Sequence, residues 1–355
     1  MYHCLIDDTA TTLDRFTGCL LGGAIGDALG WPIEFDTASG LTQRLGEQPP
    51  VALAKAGAAV AEITDDTQMT LFTAEALIRD RARQLSDGPG DVITLMQRAL
   101  WRWYHTQMPQ KTWDDPRILS GALIGDRRLF VRRAPGNTCL EALGTTTRNT
   151  SKGCGAVMRM APIGLAAGDP AWAFEVASEA GQLTHHHPSG YLSGAYLAAL
   201  ISGLVVGQDM ETAMAEADAL LAQAPGAEET IAAVAAAKAV AAKGPPSEAT
   251  IESLGGGWIG EEALAIALAC TLTADASTPA GVAAALWRAA AHKGDSDSTA
   301  AITGNLLGVM VGPTGLPPAW VTQVELRDLI EQVAADLFAA TVQGQTPDPV
   351  SYPAD

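Results

Sequence analysis

Positive charge is scarce in this chain of 355 residues. Lysine and arginine total 22 against 40 aspartates and glutamates, for a net charge of −18. Affinity for a nucleic-acid backbone or an anionic membrane needs a basic face, so neither is expected; a local basic pocket is still compatible with the total. Cysteines are few. Cys4, Cys19, Cys139, Cys154 and Cys270 are scattered, odd in number and without a CxxC pair, which argues for a reducing compartment and a cytoplasmic location. Long apolar runs are missing, because Gly, Ser or charge interrupts each before 18 residues; no transmembrane helix is expected. The opening stretch MYHCLIDDTATTLDR carries early acids and no apolar h-region, so no signal peptide is expected either.

Strand-like alternation is nearly absent, and helical periodicity takes its place. Helices are predicted over 13–29, 66–83, 92–105, 171–183, 191–206, 210–223, 231–243, 261–272, 279–291, 298–311 and 323–340, an all-α pattern. Folding a chain of this size buries roughly 75% of its extended surface, so no disulfide or metal staple is required. The Pro/Gly/Ser-rich stretch 244–257 reads as a surface connection. One compact helical domain over 1–342 is expected, followed by a Pro-containing tail over 343–355 that frays or lies on the surface.

Several polar groups stand out against this background. Thr64-Asp65-Asp66-Thr67 opens a helix, where helix capping is the plain reading. Gly294-Asp295-Ser296-Asp297-Ser298 opens another, and capping uses only one or two of its residues. D-x-D followed by a hydroxyl offers hard oxygen ligands suited to Mg²⁺, Mn²⁺ or Ca²⁺, without the Gly and Glu of an EF-hand. Should the two groups meet, four carboxylates share one volume, and each pair at 4 Å repels by about 4 kcal/mol at an effective dielectric near 20. One or two divalent cations would offset that repulsion.

Gly22, Gly26 and Gly30 share one helical face, which reads as close helix packing, and Glu34 in the following Pro-containing loop is a candidate general base. Ser151-Lys152-Gly153-Cys154-Gly155 is a glycine-rich turn into a helix, able to offer backbone amides to a phosphate, with Arg159 as added charge or as the partner of an Asp; no Walker closure follows it. The run His185-His186-His187 lacks complementary zinc ligands, and a histidine that bonds a ligand or stabilises the core is the better reading.

Taken in order, GCLLGGAIGDALGWPIEF, ITDDTQMTLFTAEALI, RRAPGNTCLEAL, SKGCGAVMRMAPIGL, THHHPSGYLSGAYLAAL and HKGDSDSTAAITGNLLGVMVG resemble the ADP-ribosylglycohydrolase family of the dinitrogenase-reductase-activating type, over about residues 14–312. The resemblance implies an all-α fold with a binuclear Mg²⁺ or Mn²⁺ cleft. It maps Thr64, Asp65, Asp66, Asp295, Asp297 and Ser298 onto metal ligands, Ser298 standing where members often carry Thr. It gives Glu34, Asp65 and Asp297 catalytic roles. Ser151, Gly153, Cys154, Gly155 and Arg159 fall beside the diphosphate and ribose, His187 near the adenosine side, and Asp115 near the leaving group. The implied reaction is metal-dependent hydrolysis of the bond between ADP-ribose and an acceptor, arginine first, with serine, a nucleobase or a metabolite as alternatives. A non-catalytic ADP-ribose binder is the reading from another class. The implied partner is an ADP-ribosylated protein or other ADP-ribosylated substrate, and a monomer is expected.

Overall fold

In a computed structural model, residues 9–35 and 48–354 are described, apart from 56, 87, 89 and 146. Cys4 and the expectation of no signal peptide fall outside these residues. The helices, in chain order, are α1 (Thr9–Gly30), α2 (Asp65–Ser86), α3 (Val92–Gln107), α4 (Ala122–Gly125), α5 (Asn137–Thr145), α6 (Ala161–Ala167), α7 (Pro170–Gln182), α8 (Pro188–Val205), α9 (Met210–Leu221), α10 (Glu228–Ala241), α11 (Glu248–Glu252), α12 (Gly260–Leu272), α13 (Pro279–Ala290), α14 (Ser296–Gly315), α15 (Pro318–Gln323) and α16 (Arg327–Thr341). Extended pairing among the described residues is limited to two isolated bridges, Ala61 with Val324 and Gly153 with Ile259. No described helix is long and apolar enough to cross a membrane.

Small residues set the central contact. A Cβ on Gly18, Gly22 or Gly26 would lie 2.3, 2.2 or 2.0 Å from the carbonyl oxygens of Gly308, Gly304 and Ala300, respectively. One on Gly30 would lie 2.3 Å from the backbone of Ser296. Residues four apart share a helix face, so α1 and α14 run antiparallel along a seam with almost no side-chain layer between them. This register brings the C-terminal end of α1 against the N-terminal end of α14. Trp31 and Pro32 then turn the chain through a short 3₁₀ segment to Glu34.

The helix α2 is buried on all sides through most of its length. Its charged residues are therefore paired inside: Glu75 accepts from Arg79 at 3.0 Å and from Arg102 of α3 at 2.8 Å. The helices α8 and α12 are likewise mostly apolar and buried, completing the core around α2 and α14.

One expectation needs revision, and two surface segments gain detail. The helix expected over 323–340 starts only at Arg327, as α16; Gln323 instead closes α15, and 324–326 between them is not helical. There Ala61 donates to Gln323 O (2.7 Å), Glu325 donates to Ala61 O (2.9 Å), and Leu326 turns with φ 58°. That break anchors the segment leading into α2. The stretch 244–257 contains α11 and then passes beneath the second acidic group, where Asp295 N donates to Gly256 O at 2.8 Å. The described part of the tail lies on the surface, the second of its two expected alternatives, and is anchored there: Tyr352 is buried, and its hydroxyl donates to Asp336 at 2.7 Å.

Candidate functional site

The α1–α14 seam and the start of α2 converge on a cleft of about 300 Å³. Its acidic wall is Glu34, Asp65, Asp66, Asp295 and Asp297, with Ser298; its facing wall comes from residues 134–139, the 153–155 turn and His185. The two acidic groups, some 230 residues apart in sequence, thus line one cleft, and Thr64 Oγ1 lies 3.5 Å from Asp297 Oδ2.

Capping explains less of the first group than its sequence suggests, because another residue performs most of that work. Asp27, buried on α1, accepts from Thr64 N (2.9 Å), Thr67 N (3.1 Å) and the Thr67 hydroxyl (2.5 Å). Glu325 accepts from Arg133 and from the amide of Ile63 (3.1 Å), one residue upstream of Thr64. With these amides satisfied from outside, the Asp65 and Asp66 side chains are left to line the cleft. Asp65 additionally accepts from Gly136 N at 3.2 Å, which ties the facing wall to the acidic one. In the second group, Asp295 is the N-cap of α14 and accepts from Ser298 N, while Asp297 Oδ1 accepts from the same amide at 2.9 Å.

The electrostatics are unfavourable for carboxylates alone. Glu34, Asp295 and Asp297 each place an oxygen within 4.8 Å of the others'. Burial, then Asp297 and Asp295, push the Glu34 carboxyl up to about 10. Burial and Asp297 push Asp27 up to about 7, and Asp65, Asp66 and Asp295 are also held well above the ordinary range, chiefly by burial. Glu34 Oε2 and Asp66 Oδ1 are buried without a hydrogen-bond partner among the described residues. An all-oxygen set with orphaned buried acceptors fits a hard divalent cation. Its tightest trio includes Glu34, read from sequence as a base, and leaves Thr64, Asp65, Asp66 and Ser298 beside it.

The residues expected at the phosphates divide. Gly153, Cys154 and Gly155 line the cleft. The Gly153 amide donates to Ser151 Oγ (3.1 Å) and the Cys154 amide to Trp258 O (3.2 Å), so the Gly155 amide is the turn's candidate donor. Ser151 supports the turn from behind, 3.0 Å from the Thr138 hydroxyl. Arg159 is fully buried beneath the turn and donates to Gly155 O, Ala180 O and the Thr184 hydroxyl; it braces the turn and does not line the cleft. Lys152 points the other way, to Glu229 and Glu261. His187 caps α8 through Ser189 N; His185 lines the cleft instead, with burial lowering it to about 3, so it is neutral. The Cys154 thiol donates to Asp295 at 2.8 Å and is held well above its ordinary pKa by burial, which removes it as a nucleophile. Asp115 pairs with Arg117 on the surface, outside the cleft.

Sequence reasoning missed Asp27, Asn137, Thr138 and the aromatic pair Phe35 and Trp258, and among the three histidines it singled out, the resemblance pointed to His187 where His185 lines the cleft. Asp27 had a signal: the lone carboxylate in the otherwise apolar and glycine-rich C-terminal stretch 18–30 of α1. Asn137 and Thr138 open α5 after Pro135-Gly136, a helix N-terminus aimed at the cleft.

Comparison with known proteins agrees with this geometry. The profile of the family described as ADP-ribosylglycohydrolase matches residues 8–347. The chain is 25% identical to the ADP-ribosyl-[dinitrogen reductase] glycohydrolase of Rhodospirillum rubrum, covering 92% of this chain and 97% of that protein. It is 26% identical to the ADP-ribosylarginine hydrolase Tri1 of Pseudomonas putida (strain GB-1), covering 96% and 82%. A solved structure titled ADP-ribosylglycohydrolase-related protein complex shares the fold, with TM-score 0.59, 22% identity and coverage of 94% and 99%. The chain belongs to the ADP-ribosylglycohydrolase family and is an enzyme of that class.

Proposed function

We propose that this enzyme hydrolyses the glycosidic bond between ADP-ribose and an arginine side chain of a modified protein, with two divalent cations, Mg²⁺ or Mn²⁺, in the cleft. The observation that carries the reading is the convergence of Glu34, Asp295 and Asp297 in a cleft also lined by Asp65, Asp66 and the 153–155 turn. The arginine assignment draws on relatives that are ADP-ribosylarginine hydrolases in Pseudomonas putida and in Serratia proteamaculans (strain 568), the latter 26% identical.

Thr64, Asp65, Asp66, Asp295, Asp297 and Ser298, together with Glu34, are the oxygen donors that would hold the cations. When bound, divalent cations supply Lewis acidity at ribose hydroxyls and lower the pKa of water. The other roles belong to the chain. Asp27 and Glu325 fix the entry to α2 and so the positions of Asp65 and Asp66. The Gly155 amide and the N-terminus of α5 receive the diphosphate, which a protein of net charge −18 must neutralise locally. Neutral His185 lines the cleft beside the turn, 3.1 Å from where a Cβ on Gly153 would sit. With the neighbouring carboxylates' charge offset by cations, Glu34 would be ionised and accept the proton of the water that attacks C1″; the C1″–N bond breaks through an oxocarbenium-like state, and the departing guanidine takes a proton from solvent.

The test is ADP-ribose release from an arginine-ADP-ribosylated protein. EDTA should abolish release and Mg²⁺ or Mn²⁺ restore it, and Asp65→Asn and Asp297→Asn should each lower turnover by about 100-fold or more. Full turnover in EDTA, or near-normal turnover in both variants, would sink the assignment.

A further inference from the structure

Positive charge in this acidic chain is gathered in one stretch. Residues 92–136 hold eight of its 22 lysines and arginines and three of its 40 acids, a local charge of +5 within a total of −18. Five of the eight are answered by carboxylates: Arg102 by Glu75, Arg133 by Glu325, Arg98 and Arg117 by Asp115, and Arg128 by Asp126 and Asp328. Lys111, Arg127 and Arg132 have no carboxylate partner among the described residues, and the two arginines are exposed. These three lie on one aromatic surface. Lys111 Nζ sits 4.9 Å from the centre of the Trp113 ring and 5.1 Å from that of Tyr104. Trp113 donates to His105 Nδ1 at 3.1 Å, His105 meets Phe130 edge-on at 6.2 Å, and the Arg127 guanidinium lies 4.6 Å over Phe130. Met108, whose carbonyl accepts from Lys111 N, lies 3.5 Å through its sulfur from Arg132. A ring beneath a cation orders the side chain and leaves its outer N–H groups free to donate.

We infer that Lys111, Arg127 and Arg132 form a docking surface, outside the cleft, for an acidic segment of the ADP-ribosylated protein. This rests on the reading above that the substrate is a modified protein. Position argues for it. Arg132 stands two residues before Ala134, which lines the cleft, so it lies within about 7 Å of the rim. The backbone there is held: Gln68 donates to Val131 O at 3.0 Å, and Arg133 is fixed to Ile63 O and Glu325. Lys111 donates to Gly144 O at 3.4 Å, about 10 Å along α5 from Asn137 and Thr138, which line the cleft. A protein chain leaving the modified residue on this side crosses that rim. Chemistry argues for it too. Guanidinium forks match carboxylates, and arginine with tryptophan, tyrosine and methionine is the composition of protein interfaces. The rest of the chain carries −23, so an acidic segment is repelled by it and attracted here, which sets orientation as well as affinity. A nucleic-acid duplex, with one charge per about 1.7 Å, presents far more charge to that acidic remainder than three cations offset.

The test uses three substrates: a peptide whose ADP-ribosylated arginine is flanked on both sides by glutamates, the same peptide with glutamines, and ADP-ribosylagmatine, which has no flanking chain. Wild type is compared with Arg127→Glu, Arg132→Glu, the two together, and Lys243→Glu, an exposed lysine outside the surface that makes the same change in net charge as either single reversal. Wild type should show a KM for the glutamate peptide about tenfold below that for the glutamine peptide at about 50 mM salt, and the gap should close at about 500 mM. Each single reversal should raise KM on the glutamate peptide about threefold and the pair about tenfold, with kcat within about twofold. Lys243→Glu should leave these constants unchanged, and no variant should alter the kinetics on ADP-ribosylagmatine. Indifference of wild type to the flanking charge would overturn the inference. So would an equal rise in KM on ADP-ribosylagmatine, which would assign the arginines to binding within the cleft. Binding of a single-stranded oligonucleotide that the paired reversal abolishes, without a peptide preference, would give the surface to nucleic acid instead. Wild type silent on all three substrates would refute the arginine assignment, and this surface's partner with it.

Discussion

Gly26→Ala would put a methyl group 2.0 Å from the Ala300 carbonyl oxygen and 2.3 Å from its carbon. Real Cβ contacts essentially never fall under 3.0 Å, so α1 and α14 must part locally by about 1 Å. Both contacting groups are backbone within long helices, and neither can turn aside as a side chain would. Overpacking of this kind costs roughly 1–3 kcal/mol, or more where relaxation is blocked. Alanine's better helix propensity returns about 1 kcal/mol. A net loss of about 2 kcal/mol is expected, read as a fall in Tm of about 3 °C for a chain this long. The larger effect should be on activity. Asp27 is the next residue and holds the start of α2, and Gly30, one turn on, abuts Asp297. A shift of about 1 Å in catalytic groups can cost about 100-fold in rate. Gly18→Ala, with its Cβ 2.3 Å from Gly308 O, should destabilise similarly yet cost far less activity, since it lies about 18 Å along the helix from Gly30. Gly125→Ala, with nothing within 4 Å, is the neutral control. Thermal denaturation and ADP-ribose release, measured on all three, decide the matter. If Gly26→Ala lost stability but no more activity than Gly18→Ala, the seam would not be what registers the two acidic groups.

Two further expectations follow from buried charge. Asp27 is fully buried with its pKa raised from 3.8 to about 7, so the cation-free folded state binds more protons than the unfolded state between those values. Its contribution to stability is therefore present below pH 4 and lost as pH rises through 7, on the order of 4 kcal/mol. The Tm of EDTA-treated protein should fall from pH 5 to pH 8, and Mg²⁺ or Mn²⁺ should raise it most at pH 8; a flat or rising Tm in EDTA contradicts this. Glu75→Ala removes the carboxylate shared by Arg79 and Arg102 in the core and should cost about 3–5 kcal/mol in urea unfolding, with an unchanged midpoint refuting the network.

Helix positions were legible because amphipathic spacing repeats every 3.6 residues and tertiary contacts rarely override a long, strong pattern. The exceptions have non-local causes. The break at Val324–Leu326 depends on pairing with Ala61, more than 260 residues away, and no local propensity records it. Arg159 looked suited to a phosphate by charge type alone. Only the packed structure shows carbonyls and a hydroxyl taking its donors first. Among the three adjacent histidines, the one facing the cleft is chosen by the turn between α7 and α8, not by residue type.

By itself the sequence determined the helical class, the acidic chemistry of two helix starts and the small-residue face of α1. These are properties of single segments: periodicity, residue type and side-chain size. Tertiary structure alone decided that the two helix starts share a cleft, that Asp27 takes over capping from Asp65 and Asp66, and that Phe35 stacks on Trp258 beside Glu34. Those outcomes depend on the antiparallel register of α1 and α14, which arises where backbone meets backbone across residues nearly 300 positions apart.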